Sequence, residues 1–449
     1  MSMSIPTKGI SNTKIDNDAL KVLRRLTRFG HVAYLVGGCV RDLLLKLEPK
    51  DFDVATSAKP PEIRKIFRNC RLIGRRFRLA HIHFSNKVIE TATFRAHAGE
   101  QTDEDLLIRS DNVFGTEQED ALRRDFTINA LFYDPQSRTL IDHVGGLEDL
   151  VERTIRFIGK PDVRTREDPV RILRAIKFAA RLDFSIEPAT FKAIVRYRSH
   201  LAKSARPRLL EEIYRMLRSG AALASFRLMW DTGILSEILP EVASYLARAP
   251  ERGEEREPGS GLFAYLKQID RSERDFLSNR VLLASVLLHP VSDAIGKGRR
   301  AYGIQPDSDA PGEVVRQILV RMIDRLNLPK WQAERIQQLV ASQKRLFNLH
   351  RNAPLPRGLL RRNYFPEALD LFEIGVRATG KGRHTLTRLR KVFQPGESIV
   401  EKTKPRRSSS SRGRRQKPQQ VKKSSGRNAN KKSRPRRRGK KHNTESSGS

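Results

Sequence analysis

The chain is poor in cysteine, in long apolar runs and in acidic residues relative to basic ones. Cys39 and Cys70 are the only cysteines among 449 residues. That number excludes a disulfide framework or a cysteine-rich metal cluster and suits a reducing compartment. The longest strongly apolar stretch, 281–288, falls far short of the ~20 residues that span a bilayer. Residues 1–17 are polar and lack the apolar core of an export signal. These absences predict a soluble, cytoplasmic protein without membrane insertion.

The acid deficit is the informative one. Against 51 Asp and Glu stand 87 Lys and Arg, a formal charge of +36. Such an excess predicts a polyanionic partner, with nucleic acid first, because neutralised phosphates release condensed counterions. It does not separate RNA from DNA. The excess is uneven: residues 401–449 hold 19 Lys and Arg against 2 Glu, with Val421 and Ala429 the only aliphatics and no aromatic ring. A segment of this kind cannot bury enough surface to offset its ordering entropy, so a disordered basic tail is expected over 396–449. Without residues 401–449 the chain still carries +19. An anionic membrane surface is the competing partner, but the tail has no apolar face and the chain no lipidation motif.

Patterning divides the remainder. Short apolar or alternating runs at 31–36, 52–55, 79–84 and 88–94 predict strands, and Ser85-Asn86-Lys87 predicts a hairpin turn. Helical runs at 40–47 and 60–67 are interleaved with them, the second admitting Pro60 and Pro61 in its first turn. Beyond about 163 the spacing turns helical, at 169–182, 207–217 and 281–288. The expected architecture is an α+β head, an all-helical neck and body, and the basic tail. The boundaries are an N-terminal extension over 1–20, head 21–155, neck 156–220, body 221–395 and tail 396–449.

Asp51-Phe52-Asp53 alone is a weak signal, since a spaced acidic pair is usually a solvated strand edge. On a strand, however, residues two apart share a face, and two carboxylates there can hold a pair of divalent ions. Gly37-Gly38 closes one predicted strand and opens a helix, where backbone N–H groups can approach a triphosphate. Arg41 and Asp42 follow on the first turn. Other residues read as structure: His81 and His83 lack a third ligand for zinc, Phe226 and Trp230 suit core packing, and Cys39 is a small packing group.

The ordered set resembles a known signature. Val36-Gly37-Gly38-Cys39-Val40-Arg41-Asp42 followed by Asp51-Phe52-Asp53-Val54-Ala55-Thr56 is similar to that of the class II CCA-adding enzyme and bacterial poly(A) polymerase family. Glu90, in 90–95, stands where that family has a third active-site carboxylate. Arg123-Arg124-Asp125-Phe126-Thr127-Ile128-Asn129-Ala130 matches the segment that closes the head, and Glu167-Asp168-Pro169-Val170-Arg171 matches the nucleotide-selecting motif. The resemblance covers about half the chain. It implies a nucleotidyltransferase head on helical neck and body domains, with two Mg²⁺ ions on Asp51 and Asp53 and Glu90 completing or orienting the catalytic site. Gly37, Gly38 and Arg41 would serve the triphosphate, and either Arg123 or Arg124 the nucleotide pocket. Asp168 and Arg171, three apart on a predicted helix, would read the base by imitating a pairing partner. The plainer alternative for that pair is a helix cap beside a surface arginine.

Within the family, 72–82, with its paired Arg75 and Arg76, resembles the poly(A) polymerase version, as does 205–212, with Arg206 and Arg208. These four arginines are candidate RNA contacts. The resemblance therefore implies addition of AMP from ATP to RNA 3′ ends in RNA processing and decay. The alternatives are CCA addition to tRNA and a non-catalytic RNA-binding protein. The tail would add phosphate attraction or contact ribosomes or RNA-decay proteins.

Overall fold

The computed structural model of the chain describes residues 3–6, 9–74, 79–96, 113–248, 259–272, 277–296 and 311–393. Arg75 and Arg76, and the expected tail, lie outside them.

The head is built on one eight-stranded sheet. Its strands are β1 (Met3–Pro6), β2 (Ala33–Val36), β3 (Asp53–Thr56), β4 (Cys70–Ile73), β5 (Leu79–His83), β6 (Val88–Thr93), β7 (Leu131–Asp134) and β8 (Thr139–Asp142). They run in the order β1-β8-β7-β2-β3-β6-β5-β4. All neighbours are antiparallel except β3 and β6, which are parallel. The expected N-terminal extension is partly absorbed, because β1 pairs along β8 from Met3–Asp142 to Pro6–Thr139. Helix α1 (Asn17–Arg28) follows. Asp16 caps it by accepting from the Asp18 and Ala19 amides, and Leu20, Leu23 and Leu26 are buried along its length.

Two faces of the sheet have different fates. Val54, Ile82 and Ile89 face α1 and α3 (Pro60–Ile66) in a core that continues without a break into the helical part of the chain. Val36, Ala55, Phe94 and Phe132 form a smaller core on the opposite face. With period two, Asp53 shares that second face with Ala55. It is the face that carries the chemistry.

Helix α2 (Gly38–Leu44) follows β2; α4 (Glu117–Arg123) opens on a capping box between Thr116 and Glu119. After α5 (Gly146–Val151), the two-residue strands β9 (Thr154–Ile155) and β10 (Ser185–Ile186) pair in parallel. Between them run α6 (Pro161–Glu167) and α7 (Val170–Leu182). Next come α8 (Pro188–Tyr197) and α9 (Arg206–Leu217). The body comprises α10 (Ala222–Asp231), α11 (Ile234–Ile238), α12 (Pro240–Ala247), α13 (Ser260–Arg271), α14 (Asn279–Gly296), α15 (Pro311–Leu326), α16 (Lys330–Phe347), α17 (Arg357–Leu360), α18 (Phe365–Thr379) and α19 (Arg383–Val392). Phe226 is fully buried in this core and Trp230 packs against it. Among the described residues no helix is long and apolar enough to cross a membrane.

Candidate active site

The strand β2 ends at Val36 and the chain turns into α2 through Gly37, whose φ of +77° and ψ of −131° suit only glycine. Gly38 opens the helix with ordinary room around it. Cys39 donates its thiol to the Val36 carbonyl at 3.3 Å. Burial and the nearby Asp53 push that thiol up to about 12, so it remains an uncharged packing group.

β3 lies beside β2, and the register Val36–Asp53 places the carboxylate next to the glycine turn. Asp51 stands two residues earlier, just outside the strand and exposed. On the other side, Val54 faces Thr91 across the parallel pair, which sets Asp53 opposite Glu90. Asp51, Asp53 and Glu90 line one cavity of about 1140 Å³ together with Gly37, Gly38 and Arg124. Among the described residues no side chain donates a hydrogen bond to Asp51 or Asp53, and Glu90 meets only His81, at 3.6 Å. Burial, then Asp51, then Glu90 raise the Asp53 carboxyl to about 7, and Arg124 offsets part of that rise. Like charges have been collected here and are only partly compensated, by Arg124 at Asp53 and by His81 beside Glu90.

The arginines divide the work. Arg41 is buried, donating from Nε (2.8 Å) and Nη2 (2.6 Å) to Asp42 Oδ1 and from Nη1 to Asn129 Oδ1 at 2.6 Å. Its guanidinium also lies 5.0 Å from the Phe178 ring centroid. These donors are spent inside the protein, so Arg41 braces the glycine turn. Arg124 donates twice to Asp120 Oδ2, at 3.0 and 2.8 Å, and once to the Asn129 carbonyl. Arg123 approaches Asp120 Oδ1 at 3.4 Å. Arg124 lines the main cavity and a smaller neighbour of about 340 Å³; Arg123 lines only the smaller one.

That smaller cavity contains the expected base-reading pair, with one correction. Asp168 and Arg171 do not share a helix. Proline disfavours helical backbone at the residue before it, so Pro169 ends α6 at Glu167 and leaves Asp168 at φ −148°, ψ 89°. Arg171 lies in the first turn of α7. Asp168 Oδ1 accepts from the Val170 amide at 3.3 Å, so the capping role exists as well. The two side chains nonetheless line one cavity. Arg171 Nη1 is held by Glu167 Oε2 (2.8 Å) and the Arg164 carbonyl (3.0 Å).

Arg208, read from the sequence as an RNA contact, grips Asp168 through two parallel bonds, Nη1–Oδ1 at 3.0 Å and Nη2–Oδ2 at 2.7 Å. Arg206 donates to the Asp324 carbonyl at 2.6 Å, joining α9 to α15. Several site residues were missed. Asp125 sits between the two cavities, where burial would raise its carboxyl but Arg174, Asn129 and Arg171 hold it down at about 2. Arg174, Lys177, Phe178 and Arg181 also line the main cavity. Their spacing of three to four on α7 was a readable signal of one helical face. Arg181 reaches Asp42 at 3.0 Å and Lys177 reaches the buried Glu212 at 2.6 Å.

Comparison with known proteins agrees with this arrangement. Residues 33–156 match the family model of the poly A polymerase head domain, and 183–246 match that of a probable RNA and SrmB-binding site of polymerase A. Poly(A) polymerase I of Salmonella typhi is 46% identical over 256 residues, 55% of this chain and 55% of that protein. The chain thus spans about half the length of the poly(A) polymerases it matches. A CCA-adding enzyme of Lactobacillus delbrueckii subsp. bulgaricus is 33% identical over 313 residues, covering 69% of this chain and 73% of that one. The crystal structure of the Bacillus stearothermophilus CCA-adding enzyme in complex with CTP superposes with a TM-score of 0.58 at 25% identity, over 83% of this chain and 80% of that one. With head, glycine turn, carboxylates and selecting motif all present, the chain belongs to the nucleotidyltransferase family of bacterial poly(A) polymerases and class II CCA-adding enzymes.

Proposed function

We propose that the protein is a poly(A) polymerase that transfers AMP from ATP to RNA 3′ ends without a template. The observation that carries this reading is the trio Asp51, Asp53 and Glu90 on one cavity wall, set beside a glycine turn and next to a cavity lined by Asp168 and Arg171. The donor set suits Mg²⁺. It is all oxygen, and burial, reinforced by repulsion from Asp51 and Glu90, raises the Asp53 carboxyl to about 7, which a bound cation would relieve. Among the described residues no group of three His, Cys, Asp or Glu side chains could hold a metal ion by itself, so waters and substrate phosphates would have to complete the coordination beside Asp51 and Asp53. Bound there, Mg²⁺ would activate the attacking hydroxyl and stabilise the leaving pyrophosphate.

The chain's own residues do the rest by position and charge. Asp51 and Asp53 would hold the ions, with Glu90 completing or orienting the site from the adjacent strand. Gly37 and Gly38 let the backbone close on the triphosphate, and Arg124 faces it from the second core. Asp168 accepts from the adenine amino group while Arg171 donates to the ring nitrogen. In-line attack by the RNA 3′-hydroxyl on the α-phosphorus forms the new ester and breaks the bond to pyrophosphate, with no covalent enzyme intermediate.

Higher identity to poly(A) polymerase I than to the CCA-adding relatives supports adenylate addition. The longer match to a CCA-adding enzyme favours the second reading, repair of tRNA ends. The basic segment 396–449 is assigned to RNA phosphates, ribosomes or RNA-decay proteins on charge, and the setting to the cytoplasm. Purified protein supplied with ATP, CTP or both, on a generic RNA and on a tRNA lacking its CCA end, tests the reading. Long adenylate tails on generic RNA are expected. Addition restricted to two C and one A on tRNA overturns it in favour of the second reading.

A further inference from the structure

Of the several large apolar side chains that the described fold leaves exposed, the bulkiest is a tryptophan. Trp331, in the first turn of α16, is 58% exposed, although an indole offers a large apolar area to a core. The Arg280 guanidinium lies 5.2 Å from its ring centroid and is anchored in turn to Glu367 at 2.7 Å. The indole is therefore held rather than free. Its place is specific. The next residue, Gln332, accepts from the Tyr214 hydroxyl at 3.2 Å, and Tyr214 lines the cavity that contains Asp51 and Asp53. Asn279, the neighbour of Arg280, lines that cavity too. Trp331 itself lines neither cavity; it lies one residue from the Gln332 contact with a lining residue, and its partner Arg280 follows a second one.

From Trp331 the same face of α16 continues at helical spacing through Arg335, Gln338 and Ser342 to Arg345. A groove of about 530 Å³ runs beside it, lined by Gln337, Gln338, Arg345 and Tyr364. The Arg335 guanidinium lies 5.7 Å from the Tyr364 ring centroid, repeating the aromatic–arginine pairing. Trp331 to Arg345 covers about 21 Å at 1.5 Å per residue, long enough for several nucleotides of extended strand.

We infer that this face of α16 is a track for single-stranded RNA upstream of the 3′ end, on which Trp331 stacks a base as the strand leaves the catalytic cavity. The inference rests on the reading of RNA 3′-end extension. Base stacking on an aromatic ring is sequence-tolerant, as a polymerase with many substrates requires. Glu334 also lines the groove and reduces its positive charge, so the rings, the amides of Gln337 and Gln338 and Arg345 carry the contact. The track lies outside both segments matched by family models.

Intrinsic fluorescence of the full-length protein tests this without nucleotide present. Trp230 and Trp331 are the only tryptophans. An unstructured RNA is expected to quench emission of the native protein but not of Trp331→Phe. Equal quenching of both proteins by RNA, or of the native protein by heparin, overturns the track, because the signal then reports Trp230 or bulk charge. In primer extension, Trp331→Ala is expected to lower the ratio of kcat/KM for a long primer to that for a trinucleotide about tenfold, and Trp331→Phe much less. An unchanged ratio, or an equal loss on both primers, also overturns it. Because the quench needs no ATP, a chain that binds RNA on Trp331 yet extends nothing would refute the polymerase reading and leave the track standing.

Discussion

The two adjoining cavities differ in how their carboxylates are partnered. In the larger, Asp51, Asp53 and Glu90 share one wall, and Asp53 takes no side-chain hydrogen bond among the described residues, with Arg124 only partly offsetting its raised carboxyl. In the smaller, charges come paired: Asp168 with Arg208, Arg171 with Glu167, and Asp125 with Arg174 on the shared wall. The first arrangement costs stability until a cation arrives. The second is complete by itself and holds a shape for a base. A carboxylate without a partner points to a bound ion, and one gripped on both oxygens points to a rigid template.

The contrast breaks most severely at the unpaired carboxylates. Asp51→Ala with Asp53→Ala is expected to reduce nucleotide addition about a thousandfold or more, since the metal sites go with them. RNA binding, read by filter retention, should survive. If the double variant still extends RNA, the metal assignment fails.

On the paired side the loss should appear in stability. Asp125→Ala removes the main partner of Arg174 and leaves it Glu212 at 3.8 Å, and should cost on the order of 2 kcal/mol, measured by denaturant titration. The pH dependence has a definite sign. Asp125 is held at about 2, below its ordinary 3.8. Its contribution is therefore fully present above about pH 4 and is lost as pH falls toward 2. The gap between native protein and Asp125→Asn should close over that interval, and a constant gap would deny the pairing.

Arg208→Ala sharpens the comparison at the template. It releases Asp168 from its fork, and we expect about a tenfold fall in the ATP-over-GTP ratio of kcat/KM, because fixed geometry is what discriminates. Arg208 is half exposed, so stability should change by under about 1 kcal/mol. An unaltered nucleotide ratio would reduce Arg208 to a surface pair.

A last effect is the stability cost at Asp53, whose carboxyl is raised to about 7 from 3.8. The folded state keeps its proton where the unfolded state has lost it. Stability without metal should therefore decline as pH rises from about 4 to 7 and stay low above. Asp53→Asn removes that decline, so the inactive variant should be the more stable by about 4 kcal/mol at pH 8, and equal to the native protein near pH 4. Calorimetry in chelator reads the difference.

Much of this was legible before any coordinates. The alternation at 79–84 and 88–94 and the proline-opened runs at 60–67 and 207–217 carried their elements, because period and turn chemistry are local. The glycine pair, the spaced aspartates and the selecting motif were legible as an ordered set. What could not be read was which arginine is committed to which acid. Arg41, Arg124, Arg171 and Arg208 are the same residue in a basic chain, and only packing told a brace from a pocket wall. The one-helix reading of Asp168 and Arg171 failed on a local rule that was available, the restriction that Pro169 places on Asp168.

By itself, the sequence determined the chemistry on offer: carboxylates two apart, a turn only glycine can make, a selecting motif, and a charge that seeks phosphate. Only the tertiary structure decided the allocation of partners. Asp53 meets Glu90 through a strand pairing 37 residues apart, and Asp168 meets Arg208 across 40. Such pairings depend on which surfaces the shared core brings together. That is why charge count and motif order reveal the reaction class, whereas the partly compensated site and the pre-formed template beside it emerge only from the fold.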